Sequence, residues 1–251
     1  MGRGPPIETD ASEIASLDDQ SASGGSKVGA ALRLLLTLGL LCGLVIGAMA
    51  IAPSVVDEID DLPAPSEDPP PAGERDPEVA DPDDPDGTTY ETDVETVTSE
   101  DVEDFVHAEV NDRRAEHDLE ALEWDGTVAS VSRAHSADMH EREYFAHTNP
   151  DGEDPYDRFD DVAGYCRSYG ENLAMNWLER SVEAPNESTT VEYQTAEGIA
   201  EGLVEQWMNS PDHRDAILED GETQEWDRGG VGVYLSEGGE VYATHNFCTE
   251  W

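Results

Sequence analysis

Lysine is almost absent from this chain. Lys27 is the only one, and with the arginines it makes 13 basic residues against 59 Asp and Glu, for a formal charge of −46. So little positive charge leaves nothing to neutralise phosphates, and a nucleic-acid-binding role is excluded on that ground. Cysteine is nearly as scarce. Cys42 sits inside an apolar run, which leaves Cys166 and Cys248 as the only two elsewhere. Two enzyme signatures are also missing. His140-Glu141 is followed by Arg142, Glu143 and Tyr144 rather than a second histidine, so there is no H-E-x-x-H zinc helix, and no G-x-S-x-G nucleophile elbow occurs. Long hydrophobic runs are lacking too, with one exception.

The acid excess is not confined to a tail, because residues 100–251 hold 38 Asp and Glu and 9 Arg. At molar salt the Debye length falls to about 3 Å, where dense like charges repel little and hydrated carboxylates aid solubility. The composition resembles that of extreme halophiles, haloarchaea above all. Residues 1–26 are polar and lack apolar periodicity, as expected of a disordered cytoplasmic tail. The exception is residues 27–56, where Leu34 to Val56 carries no charge. That length suits a single transmembrane helix or signal anchor. Lys27 and Arg33 precede it and Asp57-Glu58 follow, an order that places the tail in the cytoplasm and the remainder outside. The alternative is a signal peptide cleaved after Ala50, at the Ala48-Met49-Ala50 site. Residues 57–95 read as an acidic, Pro-rich linker, extended and self-repelling.

From Thr96 apolar periodicity begins. Val102, Phe105, Val106 and Val110 form one helical stripe behind a Thr98 or Ser99 cap. A second helix is expected from an Asp125 cap to about Arg142, burying Val128, Val131 and Met139. A third runs from Thr195 to Met208 with Ile199, Ala200, Leu203, Val204 and Trp207 inward, and Pro211 opens a short helix to Leu218. Residues 230–235 and 240–247 alternate around Gly238-Gly239 as a β-hairpin. Helices before and between strands, without a repeated βαβ unit, predict an α+β domain over 96–251. Cys166 and Cys248 fall in the exported part, where a lone pair is expected to form a disulfide. Asn186-Glu-Ser188 is an N-glycosylation sequon in a polar loop. His107 and His117 read as surface residues of the acid-rich first helix.

Several stretches share one character, a polar group framed by ordered apolar residues: Phe145-Ala-His147-Thr-Asn-Pro-Asp-Gly152, Gly170-Glu171-Asn172-Leu173-Ala174 and Trp207-Met-Asn-Ser210-Pro-Asp-His213-Arg214. With Val110-Asn111-Asp-Arg113-Arg114, Leu122-Glu-Trp124-Asp125, Ala134-His135-Ser136 and Gly230-Val-Gly232-Val, their order resembles the CAP superfamily, in its prokaryotic SCP-like extracellular branch. The resemblance covers about residues 100–248 and implies an α-β-α sandwich with a cleft lined by two histidines and one or two glutamates. His147 and His213 match the histidines and Glu171 the Gly-Glu-Asn glutamate. The second glutamate has no match: Ser210 stands at its place, with Glu205 one helical turn earlier. His245 stands where many relatives carry a glutamine, and is expected to add a ligand or to cap a strand.

The cleft set is therefore His147, Glu171, Asn172, Ser210, His213 and His245. Two neutral imidazoles and a carboxylate suit Zn²⁺ or another divalent cation, held by His147 and His213 with Glu171 as a third ligand or a general base. In the competing reading these groups only hydrogen-bond across the cleft and fix its loops. The role expected is a cell-surface binding module for an extracellular lipid, peptide, glycan or protein, tethered to the membrane by one helix, rather than an enzyme. The alternative is a metal-dependent hydrolase or peptidase using the same cleft. A structural surface protein with a vestigial cleft is the third reading.

Overall fold

Thr98 ends a short strand and starts the first helix, its hydroxyl accepting from the Asp101 amide at 3.0 Å. In the computed structural model, residues 63–184, 189–220, 225–249 and 251 are described. The expected tail (1–26), the apolar segment (27–56) and the Asn186 sequon lie outside the described residues. Among the described residues, no helix is long and apolar enough to cross a membrane. Strands β1 (Thr89–Glu91) and β2 (Thr96–Thr98) pair antiparallel and lead into α1 (Ser99–Glu116). After β3 (Glu123–Trp124), Asp125 caps α2 (Gly126–Glu141), accepting from the Thr127 and Val128 amides. Such a cap stabilises a helix by about 1 kcal/mol. Then come α3 (Pro155–Asp161), β4 (Ser168–Trp177), the small pair β5 (Val182–Glu183) and β6 (Thr190–Val191), α4 (Ala196–Asn209), α5 (Pro211–Leu218), β7 (Arg228–Leu235) and β8 (Glu240–Thr249).

Among the described residues, β3-β7-β8-β4 form a four-stranded sheet in that order, with β4 on an edge; β3 runs parallel to β7 and the other pairs are antiparallel. Alternation sorts its two faces. Val231, Val233, Ala243 and Phe247 join Val102, Val106 and Val110 of α1 and Ile199, Leu203 and Trp207 of α4 in the main core. On the other face α2 lies so close to β7 that a Cβ on Gly230 or Gly232 would sit 2.2 or 2.0 Å from the Ala129 or Arg133 backbone nitrogen. Only glycine permits that approach. The result is the expected α-β-α sandwich, with the helices and hairpin near their predicted bounds. Two elements are absent from the sequence reading: α3, and the ten-residue edge strand that carries Glu171.

The expected free linker is also corrected from residue 63 onward. Part of this segment is fastened along α1 and α2 as a strap. Its amides at Val79 and Asp81 donate to the Thr127 and Ser130 hydroxyls, and Arg133 pairs with Asp84. Those three acceptor and donor positions recur every third residue, along one side of α2. Arg75, the strap's single basic residue, reaches Glu103 and Asp104 at 2.6 Å each. Glu103 is wholly buried, and its other oxygen accepts the Val233 amide at 3.1 Å. Thr88 likewise accepts the Leu235 amide at 2.8 Å. The outer edge of β7 is thus capped by side chains from the helix and strap where β3 no longer covers it, which removes an open edge that would template aggregation.

Candidate functional site

The site is built around the edge strand β4. Its alternation sends Glu171 to the α2 face and Asn172 to the opposite one, where the Asn172 amide donates to the His213 carbonyl at 2.9 Å and ties α5 to the strand. His147 lies in the loop after α2. That loop is held by His135, whose Nε2–H donates to the Ala146 carbonyl at 3.1 Å, and by Asn149, whose carbonyl oxygen accepts the Asp151 and Glu153 amides. The acidic run that follows is spent on local structure. Asp154 and Asp157 form the capping box of α3, and the helix then presents Arg158 to the site.

Glu171 is only 2% exposed in its side chain, and both its oxygens are occupied. Oε1 accepts from His147 Nδ1 at 2.9 Å and Oε2 from Arg158 at 2.5 Å. Burial pushes this carboxyl up, but the His147 hydrogen bond and the Arg158 guanidinium outweigh it and hold the group below the usual carboxylate range. An ionised carboxylate can only accept, so His147 Nδ1 carries a proton, and in the neutral imidazole Nε2 then keeps its lone pair. The imidazole is 51% exposed, and its Nε2 meets no partner among the described residues. The His213 pKa is lowered mainly by partial burial, and His147 lies close enough to contribute. Among the described residues, no three His, Cys, Asp or Glu side chains converge to hold a metal ion. Glu171, committed to His147 and Arg158, has no free oxygen left to serve as a third ligand.

A protein-family model described as the cysteine-rich secretory protein family (CAP) matches residues 107–248. The chain belongs to this family. Among curated proteins, the CAP domain is similar to two of Bacillus subtilis. One is the uncharacterized membrane protein YlbC, 32% identical over 138 residues, spanning 55% of this chain and 32% of that protein. The other is the uncharacterized protein YkwD, 28% identical over 132 residues, spanning 53% of this chain and 41% of that protein. The match thus spans well under half the length of either relative. Two solved structures are also similar. An extracellular protein with an SCP domain from Bacillus anthracis shares 27% identity with a TM-score of 0.44, covering 58% of this chain and 39% of that one. An outer surface protein of Borrelia burgdorferi shares 18% identity with a TM-score of 0.49, covering 66% and 99%.

Within this CAP domain the expected set divides. His147 and Glu171 meet directly, and His213 lies near them. Asn172 is 1% exposed and serves as a structural tie. Ser210 joins α4 to α5 without a side-chain cap bond and lines a separate cavity of about 470 Å³ with Met175, Trp177 and Gln206. Glu205, its substitute, turns to Asn209 and Arg113 on the helical side. His245 is corrected outright. It is 0% exposed in the main core, its ring 4.2 Å from Phe247 and 5.9 Å from Trp207, with neither nitrogen hydrogen-bonded. Position 245 points to the α1/α4 face, opposite Glu171, so alternation alone rules it out. His107 is corrected as well: it is buried, edge-on to Trp124 and bonded to Asn111, because α1 is covered on that side too.

Burial drives the His245 pKa well below its ordinary value and those of His107 and His135 to about 4. A depressed folded-state pKa gives stability that is present above the unfolded value near 6.5 and lost as pH falls below it. His245→Leu is expected to stabilise the fold by about 1–2 kcal/mol, since it removes an unsatisfied buried polar group. It should also flatten the loss between pH 6.5 and 5. Urea unfolding across that range checks both. Destabilisation at pH 8 would show that the imidazole has a partner after all.

Arg158 and His135 escaped the sequence reading of the site. Arg158 is nine-tenths buried, and donates to the His147 carbonyl at 2.9 Å as well as to Glu171. The available signal was an arginine three residues into a Pro-capped turn between the two motifs, in a chain whose acids far outnumber its basic residues.

Proposed function

We propose that this is a metal-independent binding module displayed outside the cell, with the site at His147 as its recognition point. The observation that carries this is the exposed Nε2 of His147, held as a bare acceptor by a carboxylate that has no remaining oxygen for an ion or a substrate. Such an acceptor reads a hydrogen-bond donor, a hydroxyl or an amide N–H, on the ligand. A surface location is supported by the membrane-protein and extracellular-protein names of the relatives. The uncharged Leu34–Val56 segment supports tethering by one helix, and the acid-rich composition supports a salt-rich setting.

The test is ligand-observed NMR on the full chain in molar KCl with EDTA, using a panel of disaccharides, short uncharged peptides and glycerol-based lipid headgroups. Compounds that bind the wild type are expected to be lost in His147→Ala and unaffected by EDTA. Binding that persists in His147→Ala, or that needs added Zn²⁺, would contradict the proposal.

A further inference from the structure

Arg158 stands where it can govern the site without touching a ligand. Its guanidinium is a pure donor, with one nitrogen on Glu171 Oε2 at 2.5 Å and another on the His147 carbonyl at 2.9 Å and, at the limit of hydrogen bonding, on the Glu153 carbonyl at 3.4 Å. Because it cannot accept, whatever atom of residue 171 faces Arg158 must be an acceptor. A carboxylate then offers its second oxygen to His147, and that oxygen also accepts. Among the described residues, no other cation shares this duty at neutral pH. His135 is the second imidazole within electrostatic reach of Glu171, and its pKa of about 4 leaves it uncharged.

We infer that Arg158 dictates which ring nitrogen of His147 carries the proton, and so fixes the recognition atom of the site as a bare Nε2 lone pair. Arg158 is thus a positioning residue acting through Glu171. The ligand-facing consequence, a preference for hydroxyl or amide donors, rests on the function proposed above; the tautomer itself does not.

The experiment uses the full chain labelled with ¹⁵N-histidine, with the ring nitrogens of His147 assigned by omission in His147→Gln and recorded at pH 8. In Glu171→Gln, Arg158 should claim the new carbonyl oxygen. The carboxamide NH₂ then faces His147 Nδ1, which must accept, and the proton moves to Nε2. In Glu171→Gln/Arg158→Met the amide is free to turn, and the preference should collapse to a mixture. Arg158→Lys, which keeps a donor, should retain the wild-type tautomer. Nδ1–H persisting in Glu171→Gln would overturn the inference. Failure of Glu171→Gln to fold would do so too, because the carboxamide must satisfy Arg158 as the carboxylate did. A tautomer switch with unchanged ligand binding would uphold the role of Arg158 and sink the proposed recognition by Nε2 instead.

Discussion

Replacing Arg75 by alanine is expected to cost about 3 kcal/mol, the low end for breaking one side of a buried ion pair. Glu103 would keep only Arg133, at 3.4 Å, and the Val233 amide. Burial already raises its pKa to about 7, against the opposing pull of Arg133 and Arg75. A carboxyl with a raised folded-state pKa gives most stability below its unfolded value near 4.5, and that share is lost as pH rises through the folded one. Removing Arg75 lifts the folded value further, so the Arg75→Ala penalty should be larger at pH 8 than at pH 6. Urea unfolding of both proteins at the two pH values reads this directly. Adding Glu103→Gln should recover part of the loss at pH 8. An Arg75→Ala protein as stable as wild type would mean that residues 63–88 are a passive spacer after all.

Breaking the Cys166–Cys248 bridge is expected to cost more, about 4.5 kcal/mol on the chain-entropy estimate for a loop of this size. The bridge closes 82 residues and joins the approach to β4 to the last turn of β8, where Tyr169 pairs with Cys248. Its loss should therefore be felt first at the N-terminal end of the edge strand, which holds Glu171. Unfolding with and without reductant in molar KCl gives the total, and hydrogen exchange at the Ser168–Glu171 amides locates it. Uniform exchange along β4 after reduction would show that the bridge stabilises the domain without guarding the site.

The helices were legible because their apolar stripes repeat at the helical period and their ends carry strong caps, Thr98, Asp125 and Thr195. The terminal hairpin was legible from strict alternation around two glycines. β4 was harder to read: Ser168-Tyr-Gly-Glu-Asn mixes polar residues on both faces, because its site end alternates between an ion pair and an interhelical tie. A polar, Pro-rich segment gives no periodic signal, so the strap was read as free chain. What fastens it is Arg75 reaching α1, Arg133 of α2 reaching Asp84, and a few backbone amides meeting hydroxyls on α2.

His147 and Glu171 were found through motif order, and their direct contact followed. The division of labour between them was not accessible that way, since it depends on Arg158, which reaches the pair from α3. His245 was misplaced for a simpler reason: a histidine in a motif position reads as a site residue until strand parity is known. Parity turns on the register of β8, set by its pairing to β4 and β7.

The most direct measurement is the ¹⁵N ring spectrum of His147 in the wild-type full chain at pH 8, in molar KCl with and without Zn²⁺. A protonated Nδ1 and a bare Nε2, unchanged by the ion, is the predicted result. A protonated Nε2, or shifts of both rings of His147 and His213 at one equivalent of Zn²⁺, would contradict it and return the site to metal chemistry.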